Sequence, residues 1–179
     1  MPRDDRPPSL EDFLPSTLAR AASETMELRE FAMEALRGWA GQCRVEAAEF
    51  EPYTAHIVIP LEERPLNGVV HVTDSPVQLV VYVLYDPPIT EALRPAYEDF
   101  ILRANYDLPI GNFEMDPEGG PLRLRSGLVL EGLELTPRLF AAVIEPTLRM
   151  FASYLPALDE VYCGTPPAKA IAAVRVRAE

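Results

Sequence analysis

The residues best able to do chemistry in this chain are few and scattered. Two histidines, His56 and His71, and two cysteines, Cys43 and Cys163, are the full complement of those types. No HxH, HxxxH or CxxC spacing joins them into a metal-binding set. Both histidines fall in predicted strands and neither stands beside a Ser or Cys nucleophile in sequence. Partly buried structural histidines are the simpler reading. A thiolate at Cys43 would need cationic support, and Arg44 alone supplies little. Cys43 reads as a small residue at a helix–strand junction, and Cys163, between Tyr162 and Gly164, as a packing residue. A reducing compartment favours two thiols over a disulfide. The sequence predicts no catalytic residue, no metal ligands and no cofactor.

Three carboxylates, Glu114, Asp116 and Glu118, alternate along one segment. On a strand they would share a face and could hold a cation or act as an acid–base pair. Pro117 and Gly119-Gly120 instead mark a turn, where acidic side chains serve local hydrogen bonds. There is no EF-hand spacing, and Gly119-Gly120 matches no phosphate-binding loop. Arg123 and Arg125 alternate with Leu122 and Leu124. They could contact an acidic partner or RNA, but a solvated face or cross-strand pairing with Glu114 and Asp116 is preferred. An enzyme assembled from Glu114, Asp116 and His71 is the weaker alternative.

The chain that must position these residues has 179 of them, which favours one domain. Apolar residues make up 48%, enough for a full core. The net charge of −12 opposes nucleic acid, and Arg175 and Arg177 make too small a basic patch to reverse that. The same charge favours basic partners. The longest apolar run, Leu79 to Tyr85, is far too short to span a bilayer. Met1 to Asp12 is charged and proline-rich with no signal-peptide core, so a cytoplasmic location is expected. A single lysine, Lys169, among many alanines and prolines suggests a GC-rich bacterial genome.

Residues 1–15 read as a flexible tail, with one short turn at Ser9 to Phe13. A helix is expected from Ser16 to Arg37, with Leu18, Ala22, Met26, Met33, Leu36 and Ala40 on its apolar face and Gly38 and Gly41 at its end. Strands are expected at Val45–Phe50, Ala55–Leu61, Leu66–Thr73 and Val77–Tyr85. The last is apolar on both faces, which suits a central strand covered on both sides. Thr90 is a candidate cap for a helix with Leu93, Tyr97, Phe100, Ile101 and Ala104 on one face, whose regular part is expected to begin only at Pro95. Asn112–Met115 and Leu122–Leu130 form a hairpin. Thr136-Pro137 opens a helix to about Leu155, with a kink expected at Pro146. A short helix, Ala168 to Val174, follows Thr165-Pro166-Pro167. The order α-β-β-β-β-α-β-β-α-α predicts an α+β fold, an antiparallel sheet flanked by helices.

From Asn105 onward the sequence resembles the YbjN family. The residues that carry the likeness are Asn105, Gly111-Asn112-Phe113-Glu114-Met115-Asp116, Gly120, and Leu122-Arg123-Leu124-Arg125. Tyr154-Leu155-Pro156-Ala157-Leu158, Gly164, Ala168, Ala170 and Ile171 continue it, over about residues 95–174. The resemblance implies a single YbjN-like domain over 16–179, similar in fold to type III secretion chaperones. It implies a dimer that holds a client protein without ATP, and no catalytic residues. Within that motif Gly111 would supply an unusual backbone conformation, Phe113 would anchor the hairpin in the core, and Asn105 would close the preceding helix in a left-handed conformation.

The functional expectation is a cytoplasmic, non-catalytic, protein-binding adaptor, with no nucleic-acid or membrane partner. The helix from Pro137 is apolar over much of its girth, so Phe140, Ile144, Leu148 and Phe151 are expected to offer a partner or dimer surface. A small-ligand-binding regulator is the other alternative.

Overall fold

The computed structural model describes residues 10–60 and 64–178, with side chains over 24–49, 51–60 and 64–174. The order of elements is the expected one. Helix α1 (Leu10–Cys43) precedes strands β1 (Glu46–Glu51), β2 (Thr54–Ile59), β3 (Leu66–Val72) and β4 (Gln78–Leu84). Helix α2 (Arg94–Asp107), the hairpin β5 (Asn112–Met115) and β6 (Leu122–Val129), and helices α3 (Pro137–Tyr162) and α4 (Pro167–Ala178) complete it. The strands form one antiparallel sheet in the order β1-β2-β3-β4-β6-β5. The hairpin therefore docks through its second strand, which leaves β5 at one edge and β1 at the other.

Period-two patterning decides what faces the helices. Along β3, Leu66, Gly68, Val70 and Val72 are buried while Asn67, Val69 and His71 are half-exposed. Helix α3 packs on β4 and β6, α2 on β5, and α1 on β1 and β3. The four helices thus belong to one layer, and among the described residues nothing covers the other face of the sheet. Strand β4 is central, as expected, but covered on one side only: Val80 is buried, whereas Tyr82 and Leu84 are half-exposed. Two apolar faces do not require two covering layers, because large side chains on adjacent strands partly bury one another.

Several boundaries moved. Residues 10–15, assigned to a tail from the sequence, begin α1; residues 1–9 lie outside the described residues, as do the side chains of Leu18 and Ala22. Helix α1 also runs through Gly38 and Gly41 to Cys43. Gly38 is needed for close packing, since a Cβ there would lie 2.9 Å from the Pro137 ring of α3. The residue just past the helix end that adopts the left-handed region is Arg44, at φ 54°, not either glycine. The buried face of α1 comprises Ala32, Met33, Ala35, Leu36, Trp39 and Ala40, while Met26 is exposed. Thr90 contributes its carbonyl rather than a hydroxyl cap, accepting from the amides of Leu93 and Arg94. Thr136 caps α3 as expected, its Oγ1 accepting from Leu139 N at 3.2 Å. Helix α3 continues through Pro146 and Pro156 to Tyr162.

Candidate functional site

The motif around Asn105 is built for structure. Asn105 sits in the last turn of α2, beside the edge strand β5. Its Oδ1 accepts from Phe113 N at 2.7 Å and its Nδ2 donates to Phe113 O at 2.9 Å. The side-chain amide thus does for one residue of β5 what a neighbouring strand would do. The expected left-handed helix closure at Asn105 is corrected: the residue is helical, and its amide reaches across to the strand. Gly111 does adopt φ 73°, and a Cβ there would meet the Arg125 carbonyl oxygen at 2.6 Å. Phe113 is buried, with ring centroids 5.4 Å from Tyr154 and 5.8 Å from Phe100. Helix end, glycine and aromatic anchor together lock the hairpin against α2 and α3.

The acidic segment resolves into a pair and a turn. Glu114 faces Arg123 across the hairpin, with Arg123 Nε 2.6 Å from its Oε1. Asp116 Oδ1 accepts from Glu118 N at 2.8 Å, the local bond that such turns favour. Glu114 is on β5 and His71 on β3, three strand spacings apart, or about 14 Å. The structure therefore does not assemble Glu114, Asp116 and His71 into one site. His71 Nδ1 shares a 2.8 Å hydrogen bond with Thr54 Oγ1 on the neighbouring strand. His56 is half-exposed, and Cys43 and Cys163 are free and exposed. Among the described residues there is no group of three or more His, Cys, Asp or Glu side chains able to hold a metal ion. The side chains of Arg175 and Arg177 lie outside the described residues.

The expected partner surface on α3 is corrected outright. Phe140, Ile144 and Phe151 are fully buried and Leu148 is 9% exposed. Helix α3 meets the sheet through β4 and β6 and is flanked by α1 and α4, so neighbours within the chain take up its apolar girth. Where α3 crosses Tyr85, a polar network forms. Tyr85 donates to Asp159 Oδ1 at 2.9 Å, Arg64 donates to both Asp159 oxygens, and the Tyr97 hydroxyl donates to Leu158 O at 3.0 Å. Burial pushes the Tyr85 hydroxyl well above the ordinary tyrosine range, reinforced by its hydrogen bonds with Tyr97 and Asp159. Tyr97 is raised by burial as well.

What the sequence did not single out is the uncovered sheet face. Register places His56, Val69, Tyr82 and Arg125 in one cross-strand row and Val58, Asn67, Leu84 and Arg123 in the next. Val58, Val69, Tyr82 and Leu84 are half-exposed. The Arg123 guanidinium lies 4.2 Å from the Tyr82 ring centroid, a cation–π contact that orients both side chains. A shallow hollow of about 290 Å3 opens among Thr54, Val69, His71, Tyr82, Leu84 and Arg123. The available signal is the outward apolar set of β4, which from sequence alone is equally consistent with a second covering layer. No helix among the described residues is long and apolar enough to cross a membrane.

The YbjN family model, described as "Putative bacterial sensory transduction regulator", matches residues 33–160. No curated protein and no solved structure gives a significant match.

Proposed function

As the chain belongs to the YbjN family, we propose that it is a non-catalytic, protein-binding regulator that holds a client polypeptide against its uncovered sheet face. The reading includes a cytoplasmic location, a homodimer and a chaperone-like grip that needs no ATP, with neither nucleic acid nor membrane as partner. The observation that carries it is the one-sided fold. Four helices share one layer, so Val58, Val69, Tyr82 and Leu84 face outward, bordered by the Glu114–Arg123 ion pair. An apolar strip with a charged border suits a polypeptide, whose side chains can fill the strip while its ends stay in water. The regulator description of the family supports the same reading, since regulation without chemistry requires a bound partner. With the α3 residues buried, the dimer must use another surface.

The test places a photocrosslinking residue at Tyr82 and, as a control, at Leu102 on the exposed side of α2. The expected result is one polypeptide captured from the native organism at Tyr82, absent at Leu102 and lost with Leu84→Arg. Capture that is equal at both positions, or no capture, refutes the sheet-face reading. Light scattering tests the dimer: a particle of 19.9 kDa at micromolar concentration removes it. The hollow around His71 and Tyr82 offers one second reading, a small polar ligand, because Thr54, His71 and Arg123 set polar groups beside the apolar Val69, Tyr82 and Leu84. A melting temperature raised by a small molecule, and not by one in the Tyr82→Ala variant, would favour it.

A further inference from the structure

A second hollow lies away from the sheet face, between α1 and the β1–β2 turn. It measures about 670 Å3 and is lined by Glu27, Glu30 and Glu34 of α1, by Glu49 of β1, and by Phe31 and Tyr53. Arg37 also lines it, and is spent on Glu49 at 2.7 Å. Glu27, Glu30 and Glu34 recur at helical spacing, a like-charge stripe that weakens an isolated helix. Phe31 is 60% exposed within the same groove. An aromatic anchor beside acidic side chains is a surface that a basic, amphipathic partner can satisfy at both points. The groove rim already holds one cation in the way a partner could be held: the Arg29 guanidinium lies 3.8 Å from the Tyr53 ring centroid.

We infer that this groove docks a basic, amphipathic protein segment, with Lys or Arg side chains meeting the glutamates and an apolar anchor resting on Phe31. Charge complementarity selects that occupant. Nucleic acid and anionic lipid would meet four carboxylates, one of them paired with Arg37, and two arginines that are already engaged. A metal ion would need a tighter ligand set than any among the described residues. Glu27, Glu30 and Phe31 precede the family-matched residues 33–160, so three of the nine lining residues lie outside the matched region. The groove shares no lining residue with the hollow on the sheet face, and each surface stands or falls alone.

The experiment uses the full chain and a fluorescent, helix-forming synthetic peptide with lysines on one face and leucines on the other. A peptide with glutamate in place of lysine is the control. Anisotropy should show binding of the lysine peptide only, weakening as ionic strength rises. Glu30→Lys/Glu34→Lys and Phe31→Ser should each weaken it by about tenfold. Glu98→Lys/Glu118→Lys, which changes net charge equally on exposed sites elsewhere, and Tyr82→Lys on the sheet face should leave it within about twofold. Equal weakening by both double variants would reduce the effect to bulk attraction and overturn the proposal. So would undiminished binding to Phe31→Ser, or no binding by the unaltered chain. Circular dichroism of each variant confirms that folding is intact.

Discussion

Replacing Asn105 by aspartate tests the strand-mimicking amide with a change of one atom's chemistry. In the native chain the amide donates to Phe113 O at 2.9 Å and accepts from Phe113 N at 2.7 Å. Asn105→Asp keeps the accepting oxygen. At neutral pH it sets a carboxylate oxygen against the Phe113 carbonyl, with no proton between them. One part-buried hydrogen bond is lost and a repulsion takes its place, which costs about 2 kcal/mol. For a chain of this size, with a urea slope of about 2 kcal/mol per molar, the unfolding midpoint should fall by about 1 M. Trp39 is the only tryptophan and is buried, so its fluorescence reports the transition. The sign of the pH dependence follows from the proton. Only the protonated acid can donate to Phe113 O, so the folded state raises the pKa of this carboxyl above the ordinary value of about 3.9. The variant should therefore approach native stability below that pH, and the deficit should grow as pH rises through the folded pKa. A variant as stable as the native chain at neutral pH, or a deficit independent of pH, would refute the reading of Asn105.

Gly111→Ala should cost about 2–4 kcal/mol in the same urea assay, because the alanine must hold φ 73° with its Cβ on the Arg125 carbonyl. Gly119→Ala, at φ 99° but with open space around it, should cost less. Burial and hydrogen bonding hold the Tyr85 hydroxyl protonated, so the stability it contributes is complete below the ordinary tyrosine pKa of about 10 and is lost as pH rises above it. The alkaline decline in urea midpoint should be shallower in Tyr85→Phe than in the native chain. Phe151→Ala, which empties a fully buried position, should cost about 3–5 kcal/mol. Where it still folds, its particle mass by light scattering should match the native one, since Phe151 faces the interior and no partner.

Element order was legible because its punctuation is strong: Asp86-Pro87-Pro88, Asp116 to Gly120, Thr136-Pro137 and Thr165-Pro166-Pro167 separate segments of different period. Helix ends were less legible, because tertiary contact overrides local signals. Gly38 looked like a terminator and instead lets α1 and α3 approach closely. The sequence showed that α3 is apolar around its girth, but apolarity does not say who covers it. Two helices and two strands of the same chain do so. The sheet face was missed for the converse reason: Tyr82 and Leu84 look like core residues, and only the one-sided placement of the helices leaves them outward. Asn105 was singled out, but its reach to Phe113 depends on a fold-wide juxtaposition that sequence position does not encode.

The two edges of the sheet set how copies of this chain can accumulate. At one edge, Asn105 occupies the outward peptide groups of Phe113 in a strand only four residues long. At the other, β1 carries Glu46, Glu49 and Glu51 and a break in register between Glu49 and Glu51. Strand-to-strand addition is the route by which open sheets grow into fibres, and short, charged, interrupted edges resist it. Self-association is thereby steered to faces, where a two-fold contact closes on itself and growth stops at a finite particle. At high concentration this chain should stay clear of turbidity and leave thioflavin dark, even though one broad face of its sheet is bare.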